Sequence, residues 1–482
     1  MLPINPNSEL QRLLEDGRHV EAICSLHEIT KSKNPENATL IAILASEYMA
    51  LGDLKNAIKY INYAYFLTPS NEVIALNRAL WTASSASDPK LPKQIIEDWS
   101  RRFLDPLVGP TKETFNRTIP KGERLRVGYV SGDFNNHPSR FFIEPIFRHH
   151  DKAKFEIHAF MTGTPDVFTD GLKPLVEHWH DIANLTDRSL YSLIKAVGID
   201  VLVDLSGHTK GQRLGVFAMR AAPVQITWFG YMQTLGMEAM DWRITDAEIS
   251  PPDADQYYTE KLLRISSHYA FQPPVNMSEP PPLPARRNGF VTMICLNDNR
   301  KISDTSITLW SKILSRNANV GLILISAERN EQFADQSLRP RLRKFNLPDD
   351  RVSVVPRLNF QSYLNLSSIA DFAVDTTPVS GGTTTLLGAS IGLPTLCLRA
   401  PKCGPLSALS SALMQHMDLN ECITTTDAQF VNKAQLWLND WALIEQLRSR
   451  CLSGLKQSPL LRHQTITREI EQGFIQCHEK SF

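Results

Sequence analysis

Residues 375–394, DTTPVSGGTTTLLGASIGLP, follow an apolar run at 369–374, IADFAV, that has the character of a buried strand. Pro378, Ser380, Gly381 and Gly382 form a turn cluster, Thr383, Thr384 and Thr385 supply hydroxyls, and LLGASI at 386–391 continues as a helix of small and medium residues. Strand, glycine turn, hydroxyl cluster and helix in that order predict free backbone N–H groups at a helix N-terminus. The helix dipole is positive there, which suits a phosphate, and glycine lets the backbone approach the ligand closely. The same pattern also fits threonines that merely cap a core helix.

Outward from this stretch, the C-terminal half repeats the theme. FVTMICL at 290–296 reads as a strand and leads into NDNRKISD, so Asn297, Asp298, Asn299, Arg300 and Lys301 precede a helix over 305–314. Lys301, with Arg300 beside it, can neutralise a phosphate; a solvated basic pair is the alternative. Strands are predicted at 320–326, 352–355 and 395–398, a helix at 332–344 broken or kinked by Pro340, and helices from 406 onward.

The middle of the chain alternates in the same way. RLRVGYV at 124–130 reads as a strand that empties into SGDFNNHPSRFF, where His137 can serve as a base, bind a phosphate or sugar hydroxyl, or simply face solvent. Further strands are predicted at 155–161, 199–205, 223–231 and 243–246, with a helix at 189–196. The strand at 199–205 runs into SGHTKGQR, which places His208 and Lys210 at another strand end. Asp204 and Asp246 fit turn caps, and Trp228 and Trp242 fit a core. Alternating strands and helices indicate mainly parallel sheets covered on both faces.

Residues before about 120 differ. Gly17 and Gly52 are 35 apart, as are Ala22 and Ala57, and Pro35 and Pro69 are 34 apart. Leu44, Tyr48, Leu51, Gly52, Ala57, Tyr60, Ala64 and Pro69 fall where a tetratricopeptide repeat places them. Two repeats are fewer than the three usually needed to stand alone, so the array should lean on whatever follows. Residues 72–86 and 92–103 suit further helices, 106–122 a linker, and the proline-rich 273–287 a hinge. The resulting division is 1–120 for repeats and linker, 121–280 for a first α/β lobe and 281–482 for a second.

The totals bound the function. The 482 residues carry 51 Lys+Arg against 51 Asp+Glu, which argues against bulk nucleic-acid binding by a basic surface. The N-terminal stretch has no apolar core of signal-peptide length, and no run is long enough to span a bilayer. The 7 cysteines, including Cys403, form no CxxC pair, so neither a disulfide framework nor a zinc site is indicated, and a reducing cytoplasm is the expected location.

Two doubly wound lobes joined by a hinge make the plan of a GT-B glycosyltransferase, with a cleft suited to a nucleotide-sugar and an acceptor. No DxD motif is placed for a metal. The chain resembles the O-linked N-acetylglucosamine transferase family, which joins tetratricopeptide repeats to two such lobes. The resemblance is carried by RLRVGYVSGDFNNHP, VDLSGHTKGQR, APVQITWFGYMQTLG, MDWRITD, YTEKLLRI, LNDNRKISD, GGTTTLLGASIGLP and SPLLRHQTITREIE. It implies an inverting, metal-independent enzyme that needs no cofactor and moves GlcNAc or another hexose from a UDP-sugar to a protein side chain, Ser or Thr before others. It implies that His137 meets the acceptor side, Lys301 the diphosphate, Thr383 and Thr384 the pyrophosphate, and Asp298 the neighbourhood of the uridine. Asn297, Gly381, Gly382, Thr385, His208 and Lys210 complete the expected binding set. Four departures stand out: the loop GYMQTLG at 230–236, Leu387 where relatives hold the ribose with Asp, Ser390 where they have Trp, and APKCGPLSALSSAL at 400–413, which lacks the Arg that relatives carry in an Ala-Ser-Arg segment. The alternatives are a catalytically weakened relative that recruits a partner through its repeats, and a transferase acting on a glycan or small molecule.

Overall fold

The computed structural model describes residues 9–32, 36–85, 88–107, 122–277, 279–280, 282–400 and 404–480. Residues 108–121 of the expected linker, and also Pro35 and Cys403, lie outside the described residues. The chain divides into two compact units that do not follow chain order: 1–88 with 275–455, and 89–274 with 456–482. A division by chain order at 120 and 280 therefore cuts across both.

The unit formed by 89–274 and 456–482 is built on a seven-stranded sheet. Its strands are β1 (Leu125–Ser131), β2 (Phe155–Met161), β3 (His178–Asp181), β4 (Val201–Asp204), β5 (Val224–Thr227), β6 (Trp242–Asp246) and β7 (Lys261–Ile265). The order is β3-β2-β1-β4-β5-β6-β7, with the pairs parallel. Strands β4 and β5 are buried along their whole length, which is why they read as unbroken apolar runs rather than alternating ones. The C-terminal helix His463–Glu479 packs in this unit. Its Glu471 reaches His150 at 3.0 Å and the Asp151 amide at 2.7 Å, and a Cβ on Gly473 would come within 2.5 Å of Leu263.

The other unit carries a six-stranded sheet: β8 (Val291–Cys295), β9 (Val320–Ile325), β10 (Val352–Val355), β11 (Phe372–Val374), β12 (Thr395–Leu398) and β13 (Ile423–Thr424). Its order is β10-β9-β8-β11-β12-β13, again parallel. The apolar run at 369–374 yields only a three-residue strand, because Ile369 is already the C-cap of the helix Phe360–Ser368. Pro340 does not break its helix, which runs unbroken from Glu331 to Lys344. Arginines on either side anchor the segment: Arg339 to Asp335 and the Val352 carbonyl, Arg341 to Asp304 and the Gly52 carbonyl.

The repeats pack in this same unit. Helices His19–Ser32, Ala38–Ala50, Leu54–Leu67 and Glu72–Ser84 are capped by Asn37, Asp53 and Asn71 in the last three cases, and Gly17 and Gly52 adopt φ of +66° and +75° at the turns. Ala57 and Ala64 are fully buried, as the close helix packing requires. The array does lean on a lobe, but on the one that comes later in the sequence. The Val20 amide donates to Glu328 at 2.9 Å, and the Arg329 amide to the Gly17 carbonyl at 3.2 Å.

Candidate functional site

In each sheet the strand order reverses once, between β1 and β4 and between β8 and β11. Ligands of open α/β sheets bind beyond the carboxyl ends of strands at such a switch point. The loops after β1 and β4 carry His137 and His208, and those after β8 and β11 carry Lys301 and the threonines. All the expected site loops therefore lie at a switch point of their own sheet.

In the six-stranded unit, four elements of the expected set meet. Asn297 donates from Nδ2 to Asp375 Oδ1 at 2.7 Å and to Thr376 Oγ1 at 2.9 Å, and its Oδ1 accepts from Thr384 Oγ1 at 2.8 Å. The Gly381 amide donates to the same Asp375 oxygen at 2.9 Å. Lys301 Nζ donates to the Ser380 carbonyl at 2.8 Å. A Cβ on Gly381 would stand 2.6 Å from Thr385 Oγ1, 2.9 Å from Asn297 Oδ1 and 3.0 Å from Thr384 Oγ1, so only glycine fits the brace. The helix Thr383–Ser390 begins there, with Gly382 at its N-cap and no capping side chain.

Electrostatics follow from burial. Burial pulls the Lys301 ammonium below the ordinary lysine value, against Asp375 and Asp298, which pull it up. Burial raises the Asp375 carboxyl, while hydrogen-bond donors around it and Lys301 pull it down. Asp298 is exposed, and its carboxyl is held below the usual carboxylate range by Arg300 at 2.9 Å. The Asp298 carboxylate is thus already paired. Thr385 turns to Ser410 at 3.0 Å, on the core side, whereas Thr383 and Thr384 are half-buried. Leu387 is buried, and Ser390 donates to its carbonyl at 2.7 Å.

In the seven-stranded unit His137 is exposed, with Nδ1 3.0 Å from Ser139 Oγ and 3.6 Å from Asp133 Oδ2. Burial raises the Asp133 carboxyl, and His137 draws it back. Gly132 closes this loop onto that after β4: its Cβ would meet the Lys210 carbonyl at 3.0 Å. Lys210 is exposed, but His208 is not. Its ring stands edge-on to Trp99 at 5.3 Å and to Tyr231 at 5.2 Å, with Nε2 3.1 Å from the Leu235 carbonyl. Nδ1 of His208 has no partner among the described residues, and burial pushes the imidazole down to about 4. Asp204 and Asp246 cap turns: Asp204 accepts from Gly207 at 2.9 Å and Thr227 at 2.8 Å, and Asp246 from Ile249 at 2.8 Å.

Sequence reasoning missed the supports. Asp375, Ser306 and Ser410 hold the threonine turn: Ser306 accepts the Thr377 amide at 2.9 Å and Ser410 donates to the Gly381 carbonyl at 2.9 Å. It also missed Arg243 and Glu260, a buried pair 3.6 Å apart that fastens the 230–236 loop, with Arg243 donating to the Gln233 carbonyl at 2.5 Å and Glu260 accepting the Leu235 amide at 2.7 Å. Only Asp375, directly after a strand and before the turn, carried a local signal.

Glycosyl transferase family 41 matches residues 107–277. A mutant of the Thermobaculum terrenum O-GlcNAc transferase superposes on 97% of this chain and 89% of its own, with a TM-score of 0.88 at 29% identity. The chain is a relative of the family 41 glycosyltransferases. Its two doubly wound sheets and helical N-terminal region match the GT-B plan of that solved structure. Among curated relatives, the tomato (Solanum lycopersicum) protein named "Probable UDP-N-acetylglucosamine--peptide N-acetylglucosaminyltransferase SPINDLY" is 29% identical over 412 residues, 83% of this chain. The Caenorhabditis elegans UDP-N-acetylglucosamine--peptide N-acetylglucosaminyltransferase is 37% identical over 148 residues, 30% of this chain. The chain spans 43% of the length of the tomato relative. No helix among the described residues is long and apolar enough to cross a membrane.

Proposed function

We propose that this chain is a UDP-sugar-dependent transferase that moves GlcNAc or another hexose to Ser or Thr of a polypeptide, with inversion and without a metal or other cofactor at the reacting diphosphate. The observation that carries the reading is the brace of Asn297, Asp375, Gly381 and Thr384, which fixes the start of helix Thr383–Ser390 beside Lys301. Thr383, Thr384 and the first-turn amides would bind the pyrophosphate oxygens. Lys301 would leave the Ser380 carbonyl for the diphosphate. Negative charge grows on the departing UDP as the glycosidic bond breaks, and fixed donors there favour the transition state over the ground state. His137 would meet the acceptor hydroxyl, with Asp133 and Ser139 orienting its Nδ1. His208 would support the 230–236 loop rather than touch substrate. A cytoplasmic location and recruitment of a protein through the repeats belong to the same reading.

The test is calorimetric titration of the full chain with UDP and a panel of UDP-sugars, followed by transfer to peptides assayed by mass, with and without EDTA. Saturable binding and EDTA-resistant transfer to Ser or Thr are expected. Failure of UDP and every UDP-sugar to bind sinks the proposal. Leu387 favours a second reading, a binding-only relative, because a buried leucine offers the ribose no carboxylate. UDP binding with no transfer to any peptide would select it.

A further inference from the structure

Parallel pairing of β2 and β3 sets His158 opposite His178 and Phe160 opposite His180. Strand residues two apart share a face, so Glu156 and His158 of β2 and His178 and His180 of β3 gather on one face at the sheet edge. Glu156 Oε1 lies 3.2 Å from His158 Nε2 and 3.0 Å from His178 Nε2. The three donor atoms all fall within 4.8 Å of one another. The rings of His158 and His178 stack at 4.3 Å, and His158 Nδ1 lies 3.2 Å from His180 Nε2. His180 in turn stacks on the buried Phe160 at 4.5 Å.

We infer that Glu156, His158 and His178 form a binding site for a divalent transition metal of the zinc class, which pins the short edge strand β3 to β2. Two imidazole nitrogens converging on one carboxylate oxygen is the ligand set such ions take, with a water in the fourth position. Donors bound at about 2.1 Å in a tetrahedron stand about 3.4 Å apart, close to the spacing already present, and the remaining nitrogen–nitrogen gap closes by rotation of His178. That ring has solvent on its outer side to turn into, since its side chain is 46% exposed, while His158 is 4% exposed and fixed. His158 has His180 at its other nitrogen, which orients the ring, and metal-bound imidazoles regularly have such a partner. Arg124 at 3.2 Å and Arg126 at 3.8 Å lie against Glu156 Oε2, leaving Oε1 for the ion. Their positive charge weakens the site somewhat and orients the carboxylate.

The cluster sits toward the amino ends of β2 and β3, whereas the His137 loop follows the carboxyl end of β1. The metal is therefore structural, and the proposal does not depend on the transfer reaction. Cysteine spacing and a DxD search cannot find it. The signal is E-x-H at 156–158 with H-x-H at 178–180, the period of a strand.

The experiment is titration of the metal-free full chain with Co2+, read by visible absorption and displaced by Zn2+, together with thermal unfolding with and without Zn2+. One tight equivalent with tetrahedral absorption and a raised unfolding midpoint are expected. His178→Ala, at an exposed position, should remove that equivalent while the metal-free midpoint stays unchanged. His180→Gln should keep the equivalent and weaken it about 10- to 100-fold. Co2+ binding that is absent, or that survives in His178→Ala at unchanged affinity, overturns the inference.

Discussion

Lys301 holds a charge where burial works against it, and its hydrogen bond goes to the neighbouring Ser380 carbonyl at 2.8 Å. An ammonium in that position is worth little to the fold and much to an anion. Lys301→Met should therefore leave the unfolding midpoint of the free protein unchanged or raised. It should also weaken UDP binding by about 10- to 150-fold, the equivalent of about 1.5–3 kcal/mol for a lost charge-assisted bond. Calorimetric titration beside thermal unfolding checks both. A lowered midpoint with unchanged UDP affinity would make Lys301 a structural residue. His208 makes a complementary prediction. Its imidazole ionises at about 4 in the fold because it is buried, against about 6.5 when unfolded. The unfolded chain takes up the proton first as pH falls. The stabilisation is thus complete above about pH 6.5 and is lost toward pH 4. The gap corresponds to roughly 3 kcal/mol at most. Denaturant unfolding at pH 7, 5.5 and 4.5 should show wild type losing stability faster than His208→Gln. Parallel losses would mean that His208 titrates normally.

At the scale of elements, the threonine turn shows what a sequence can disclose. Asn297, Gly381, Thr384 and Lys301 were legible because each follows an apolar strand, and topology brings the ends of neighbouring strands together. Thr385 and Asp298 carried the same local signal, yet one faces Ser410 and the other pairs with Arg300. A helix start does not say which of three successive hydroxyls points outward. Ser306 and Ser410 were illegible because their bonds to the turn span 71 and 29 residues of sequence. Strands β3, β7 and β13 are not legible in the sequence; in β3, HWHD has no apolar run and is exposed at both ends. Strands β1 and β2, buried almost throughout, were read nearly to the residue. The brace itself predicts the effect of one methyl group. Gly381→Ala places a Cβ among three oxygen atoms at 2.6–3.0 Å, so the Asn297–Thr384 bond must open. The first turn of the helix then loses its support, and UDP affinity should fall about tenfold or more, the loss of one ordered hydrogen bond. Titration of the variant with UDP measures this. Wild-type affinity in Gly381→Ala would show that the brace does not shape the donor site.

At the scale of the whole molecule, the repeats and the six-stranded sheet form one unit although nearly 190 residues of sequence separate them. The reason is energetic: two repeats cannot bury enough surface by themselves, and the later lobe offers matched groups. Glu328 is fully buried and accepts the Val20 amide, Asn330 donates to Glu21 at 3.1 Å, and Arg341 donates to the Gly52 carbonyl at 3.1 Å. The backbone at Gly52 comes so near the Asn299 carbonyl that a Cβ would lie 2.5 Å away. Asn299 opens the single helical turn Asn299–Lys301, so the repeats press on the turn that carries the lysine. Removing residues 1–88 should strip Glu328 of its bond from the Val20 amide, leaving it the Asn330 amide at 2.9 Å, and free that turn. Native-state hydrogen exchange should then show faster exchange in β8, β9 and the helix Glu331–Lys344, with β1, β2 and β4 unchanged. Gly52→Ala should reproduce the effect in smaller form, because both its positive φ and the Asn299 carbonyl resist a side chain. UDP affinity should fall in both variants even though no repeat residue belongs to the donor site. Unchanged protection in Glu331–Lys344 on truncation would show that the array rests on the lobe without stabilising it, and unchanged UDP affinity would show that Lys301 is held by its own loop alone.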